Sequence, residues 1–199
     1  GRVMRLNLPE IIDRAKLIQL RAGEVLGIGG LMGAGRTELL MHLFGAWGHR
    51  KSGTVSLQGK ALPQADPVKA LRSGLALVSE DRRRYGLVLE EPIGFNLSLS
   101  SLQEVTQHGL VNRSAEARRN REIYEALQVK ATGLEAIVGR LSGGNQQKLI
   151  IGREFHVFPK LLLVSQPTRG VDIGAIEFIH RKLVELRDGG CAVLLVSAE

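Results

Sequence analysis

Short apolar runs bounded by turn residues alternate along the chain with longer stretches whose apolar positions recur every three or four residues. That alternation predicts an α/β domain with a mainly parallel core sheet, the apolar runs being its buried strands. Residues 25–29, 75–79, 161–164 and 191–197 are the predicted core strands, and residues 36–44, 67–73, 114–128, 145–155 and 173–188 the predicted helices. End signals agree: Asp66 can cap the helix opened by Pro67, Gly74 can close it, and Gly189-Gly190 follow the helix that reaches Asp188. Residues 54–57 followed by Gln58-Gly59-Lys60 read as a strand and turn of a small antiparallel patch. Residues 92–139 are polar, carry Ile123 and Leu127 on one helical face, and hold no strong strand. They are expected to form a helical subdomain inserted into a single domain spanning residues 1–199. No internal repeat or low-complexity segment is present.

Composition narrows the class. At 199 residues, 44% hydrophobic and 24% charged, the chain can bury the core of one globular domain. No apolar run approaches the ~20 residues of a membrane span, and the N-terminus lacks a secretory pattern, so a cytosolic chain is expected. Cys191 lies in the run Cys191-Ala192-Val193-Leu194-Leu195-Val196 and is expected to be buried and inert. The net charge of +7 gathers at Arg82-Arg83-Arg84 and Arg118-Arg119. A solvated face is expected for the second pair; phosphate, a protein partner and solvent stay open for the first. Only five phenylalanines, two tyrosines and one tryptophan are present, with no basic–aromatic interleaving, so nucleic acid is not an expected partner. His42, His49, His108, His156 and His180 share no ligand spacing, which argues against zinc. His156, beside Phe155 and Val157, is expected to be half-buried, and Trp47 is expected to pack rather than to stack on a base.

Candidate chemistry begins after the first core strand with Gly30-Leu31-Met32-Gly33-Ala34-Gly35-Arg36-Thr37, which fits the phosphate-loop pattern G-x-x-x-x-G-K-[ST] except that Arg36 replaces lysine. Glycines let backbone N–H groups converge on phosphate oxygens, and the following helix adds its dipole. Gly30, Gly33, Ala34, Gly35, Arg36 and Thr37 are therefore the candidate nucleotide-binding set, with Thr37 placed to help hold Mg²⁺. Arginine keeps the charge but is bulkier and forked. A second element, Leu141-Ser142-Gly143-Gly144-Asn145-Gln146-Gln147-Lys148, opens another helix with a hydroxyl and free N–H groups. Alone it is an ordinary helix start. A third, Leu161-Leu162-Leu163-Val164-Ser165-Gln166-Pro167-Thr168, is an apolar strand ending in a polar pair, and Gly170-Val171-Asp172 follows it.

In this order the elements resemble those of ATP-binding-cassette (ABC) proteins, over most of the chain from Val25 onward. Finer features, including Ser79-Glu80-Asp81-Arg82, Gly86-Leu87 and Thr168-Arg169-Gly170-Val171-Asp172, resemble the second cassette of the fused ATPases that serve ribose, xylose and galactose importers. Gln166-Pro167-Thr168-Arg169-Gly170 with Gly174-Ala175-Ile176-Glu177-Phe178-Ile179-His180 is similar to the related nucleoside-import ATPases.

The resemblance implies ATP and Mg²⁺ as cofactors. It also implies a second cassette, in the same full-length polypeptide, as partner, together with transmembrane permease subunits docking near residues 85–101 and, indirectly, a solute-binding protein. It places the chain peripherally on the cytoplasmic face of the bacterial inner membrane, as a domain of a longer polypeptide that continues past residue 199. Where the family has an aspartate and a glutamate before Pro-Thr, this chain has Ser165 and Gln166. Glu80 stands where the family has a glutamine, and Glu199 where it has the switch histidine. Serine brings no charge to a magnesium ion and glutamine cannot act as a base, so hydrolysis at the chain's own loop is expected to be weak or absent. Glu80 and Ser165 join Thr37 as candidate Mg²⁺ groups; Gln166 and Glu199 are the degenerate catalytic positions. Ser142, Gly143 and Gly144 are intact, and the resemblance assigns them to act in trans on ATP held by the partner cassette. The other reading is a non-catalytic, nucleotide-gated dimerisation module. A cassette acting on ribosomes or DNA repair would carry long charged insertions, and none is present.

Overall fold

The computed structural model describes residues 2–8, 16–30, 33–49, 53–62 and 64–197. The strands are β1 (Arg2–Leu8), β2 (Lys16–Arg21), β3 (Val25–Ile28), β4 (Thr54–Leu57), β5 (Lys60–Ala61), β6 (Leu75–Val78), β7 (Thr106–Gln107), β8 (Leu110–Val111), β9 (Leu161–Ser165) and β10 (Ala192–Val196). The helices are α1 (Arg36–Phe44), α2 (Pro67–Arg72), α3 (Ile93–Ser98), α4 (Arg113–Leu127), α5 (Gly143–His156) and α6 (Ile173–Asp188). Two compact units divide the chain: Gly1–Glu80 with Phe158–Pro167 and Lys182–Glu199, and Asp81–Val157 with Thr168–Arg181.

In the first unit, every side chain of Leu161-Leu162-Leu163-Val164-Ser165 is buried, as a strand covered on both faces requires. It lies inside a parallel sheet of order β3-β10-β9-β6, with Leu163 opposite Leu77 on one side and Leu194 on the other. A second sheet, antiparallel, runs β2-β1-β4-β5. Only its β4 end was foreseen. The N-terminal strands were not among the expected ones; β1 takes its place by pairing with β4, Met4 opposite Leu57, and β2 by pairing with β1, Leu6 opposite Ile18. Met4, Leu20, Leu40, Leu43, Val55, Leu57, Leu75, Leu161, Leu163 and Leu194 form one buried cluster between these elements. Each such side chain contributes roughly 1.5–3 kcal/mol by leaving water. The Asp66 carboxylate caps α2 by accepting from Lys69 N at 2.9 Å, as expected. Trp47, expected to pack, is 52% exposed, so at most half of its surface is covered and that expectation is corrected to partial packing.

The second unit holds α3, α4, α5, the two-residue hairpin β7–β8, and the start of α6. Ile123 and Leu127 of α4 are buried on one face, as their spacing predicts. Asn112 caps α4 and Ser142 caps α5, each accepting a backbone N–H three residues on. Because Ser142 is the cap, α5 begins at Gly143, two residues before the expected start. Arg119 corrects the solvated-pair expectation. It is 9% exposed and donates to the Ser101 carbonyl and hydroxyl, because it faces the end of α3 rather than water. Its neighbour Arg118 is exposed. Arg153 and Glu154, also buried, pair at 2.7 Å, and Ser100 Oγ donates to the same Glu154 oxygen.

Candidate functional site

Parallel strands deliver their C-terminal ends to one edge of a sheet, which is where such folds place ligands. In the first unit four ends meet around the start of α1. The turn after β3 carries Gly30, Gly33 and Gly35; β6 leads to Ser79 and Glu80; β9 ends in Ser165 and Gln166; β10 is followed by Ser197. Gly33, Ala34, Gly35, Arg36, Thr37, Glu38, Glu80 and Gln166 line a cavity of about 240 Å³.

Gly33 and Gly35 have φ of +81° and +75°, where glycine is strongly favoured, and a Cβ built on either would meet open space. The amino end of α1 follows directly, its first helical hydrogen bond being Leu39 N to Gly35 O at 2.9 Å. The preceding N–H groups have no acceptor one turn earlier in the helix, so a phosphate group fits here by room and by donor chemistry.

Thr37 ties the strand ends together. Its hydroxyl donates to Glu80 Oε2 at 2.9 Å and lies 2.9 Å from Ser165 Oγ. A hydroxyl has one proton, so with Thr37's committed to the carboxylate, Ser165 is the donor of the second bond. The set is all oxygen, suited to a hard cation such as Mg²⁺, with Glu80 bringing its single carboxylate. Arg36, 9% exposed, extends past Gly30 and donates from Nη1 to the Ser197 carbonyl at 2.8 Å. Gln166 holds φ +48°, a left-handed geometry that strains a side-chain-bearing residue, and its N–H donates to Val196 O at 2.9 Å. Among the described residues no group of three or more His, Cys, Asp or Glu side chains is gathered for a metal.

The second unit contains the Ser142-Gly143-Gly144 turn. Ser142 is exposed at the head of α5, its Oγ accepting from Asn145 N at 3.4 Å and Asn145 Nδ2 at 3.0 Å. Neither following position has room for a side chain. A Cβ at Gly143 would stand 2.8 Å from Arg82 Nη2 and 3.0 Å from Gly170 O, and one at Gly144 would meet the Asp172 carboxylate. Asp172 Oδ1 accepts from Ala175 N at 2.9 Å, capping α6.

The structure thus brings Gly33, Ala34, Gly35, Arg36, Thr37, Glu80 and Gln166 onto one cavity, with Ser165 buried beneath Thr37, and groups Ser142, Gly143 and Gly144 at one helix start. Glu199, Leu31 and Met32 lie outside the described residues. Sequence reasoning missed Glu38, which lines the cavity from the third position of α1, and the Ser197 carbonyl, which no side-chain pattern announces. It also missed the placing of Arg82 against Gly143, since residues 61 positions apart in sequence carry no local signal of contact.

A family model described as ABC transporter matches residues 16–169. The xylose import ATP-binding protein XylG of Geobacillus kaustophilus is 45% identical over 180 residues, which are 90% of this chain and 36% of that protein. The ribose import ATP-binding protein RbsA of Lactococcus lactis subsp. lactis is 41% identical over the same shares. The chain therefore spans little more than a third of the length of these curated relatives. Among solved structures, a nucleotide-free ATP-binding cassette from an ABC transporter superposes with a TM-score of 0.77 at 20% identity, covering 99% of this chain and 81% of the other. A dimeric cassette in a post-hydrolysis state bound to ADP and Pi gives 0.78 at 19%, covering 98% and 88%. These two likenesses speak for the fold alone.

Proposed function

The chain belongs to the ABC transporter family of ATP-binding cassettes, and from that premise we propose that it is the degenerate second cassette of a sugar- or nucleoside-import ATPase. In this reading it binds ATP at its own loop and lends its Ser142-Gly143-Gly144 turn to ATP held by a partner cassette in the same full-length polypeptide. The observation that carries it is the contrast between two turns: the phosphate loop keeps its cradle but has Ser165 and Gln166 at the end of β9, whereas the Ser142 turn is complete.

Gly33 and Gly35 leave room for a phosphate, and the N–H groups at the head of α1 donate to it. Arg36, Thr37 and Glu80 set charge and oxygen groups around that position; Thr37 and Glu80 would hold Mg²⁺, to which the neutral Ser165 brings no charge. Bound ATP would supply the phosphoanhydride whose cleavage powers uptake. Gln166 offers an amide where a base is needed, so at this loop the nucleotide acts mainly to hold the domains closed. Ser142 and the N–H groups of Gly143 and Gly144 donate at the start of α5, where the helix dipole favours an anion. The whole of residues 1–199 then acts as one cassette, with residues 92–139 as its helical insertion. Tyr85, Val88, Phe95 and Leu99 are exposed apolar side chains within the stretch that would meet permease subunits on the cytoplasmic side of the membrane. A solute-binding protein would act through those subunits. Among the described residues no helix is long and apolar enough to cross a membrane.

The test is ATP turnover by the assembled transporter carrying Ser142→Ala. A fall in kcat supports donation in trans. Turnover equal to the parent assembly overturns it in favour of a nucleotide-gated module.

A further inference from the structure

We propose that Arg82 is a positioning residue for the Ser142-Gly143-Gly144 turn, a staple that sets the start of α5 against the 168–172 loop; this rests on the reading of that turn as the donor in trans.

Arg82 opens a single wide turn, Arg82–Gly86, in which Leu87 N donates to Arg82 O at 2.9 Å, five residues back. Such turns recur at functional sites. The turn is fixed at both ends. Asp81 Oδ1 accepts from Arg84 N at 3.0 Å, and buried Gly86 sits so close to α5 that a Cβ there would stand 2.7 Å from Ile150 Cδ1. The base of the staple is therefore seated on α5 itself, seven residues beyond Gly143.

Its head reaches back to the start of the same helix. Arg82 Nη1 donates to Arg169 O at 3.1 Å, while Nη2 lies over Gly143, 2.8 Å from where a Cβ would be. One guanidinium thus touches both the loop that leads to Asp172 and the first residue of α5. A planar fork can span two segments in this way; the single ammonium of a lysine cannot. Asp172 completes the frame by filling the space beside Gly144 and capping α6.

The arrangement is not one that local energetics select. A cation beside the amino end of a helix opposes the helix dipole, and Arg82 Nε is buried without a hydrogen-bond partner. The return comes from geometry: Arg82 fixes the direction of the Gly143 and Gly144 N–H groups before any phosphate arrives, which saves reorganisation at the moment of reaction. The arginine run, left open between phosphate, partner and solvent by the sequence, acquires a distinct role for its first member. Arg83 and Arg84 are exposed.

The experiment compares the full-length assembled transporter, reconstituted in vesicles, as parent, Arg82→Ala, Arg82→Lys and Ser142→Ala. kcat, KM for ATP and the thermal midpoint are measured for each. For Arg82→Ala we expect kcat to fall about 10- to 100-fold, as for a misplaced catalytic group, with KM and the thermal midpoint close to the parent values. Arg82→Lys should stay near Arg82→Ala, because charge without the fork does not bridge the two segments. Should Arg82→Ala fail to fold, Arg82→Gln, which keeps an N–H donor, takes its place in the comparison. Parent-like kcat in Arg82→Ala (or its Gln substitute) or full rescue by Arg82→Lys overturns the staple. So does a kcat loss matched by a rise in KM and a lower midpoint. Parent-like kcat in Ser142→Ala instead removes the donor reading itself, a result distinct from a silent Arg82.

Discussion

The Thr37 hydroxyl donates to Glu80 Oε2 at 2.9 Å, and through it the phosphate loop is joined to the end of β6. Ser165 Oγ, 2.9 Å from the same hydroxyl, joins β9 to the pair. Where an aspartate at the end of β9 would bring its own charge, the carboxylate of this cluster comes from the neighbouring strand. Glu80→Gln preserves the bond from Thr37 but removes the charge. The gain in nucleotide affinity on adding Mg²⁺ should fall roughly tenfold, while affinity in EDTA stays near the parent value. Titration calorimetry with and without Mg²⁺ checks this.

Gly144 and Asp172 share one small space. Gly144→Ala forces its methyl onto the Asp172 carboxylate, and overpacking of this kind costs about 1–3 kcal/mol. Asp172→Ala alone should cost less, through the lost cap on Ala175. Because the second change makes room for the first, the double variant should be more stable than the sum of the single losses allows. Denaturant unfolding of the four proteins measures the difference.

His156 ends α5 half-buried, as its apolar neighbours suggested. Burial, and then the nearby Arg119 charge, hold its pKa below the ordinary 6.5, against the opposing pull of Glu104 and Glu122. The unfolded chain therefore takes up the proton first. Its contribution to stability is complete above the unfolded value and is lost as pH falls through it toward the lower folded value. Thermal midpoints measured from about pH 8 down to about pH 5 should decline less in His156→Gln than in the parent.

Cys191 is buried at the start of the run that becomes β10, and burial pushes its thiol up to about 11. Almost no thiolate exists at neutral pH, and access is closed. A maleimide should label the folded protein slowly and the denatured protein at the rate of a free thiol, as mass spectrometry over time will show.

How much was legible depends on where the information sits. β9 could be found because Leu161 to Val164, all buried, form an unbroken run of four apolar residues, and α2 because Asp66 and Pro67 mark its start. The phosphate loop and the Ser142 turn could be found because their chemistry is local: glycines, a hydroxyl and a helix start within a few residues. β1 and β2 were not found, since an antiparallel strand at the margin of a sheet owes its identity to its partners, here β4 for β1 and β1 for β2. Arg119 was misjudged for the same reason: the burial of a charged residue is decided by what faces it, in this case the Ser101 carbonyl and hydroxyl.

By itself the sequence determined the α/β class, the phosphate loop with Arg36 in place of lysine, the intact Ser142-Gly143-Gly144 turn, and the neutral pair Ser165-Gln166. Each of these is written in contiguous residues, where backbone geometry and chemistry are local. Tertiary structure alone decided that Thr37 stands between Glu80 and Ser165, that Arg36 reaches Ser197, and that Arg82 lies over Gly143. Those contacts join residues far apart in sequence, and only the packing of strands and helices sets such distances.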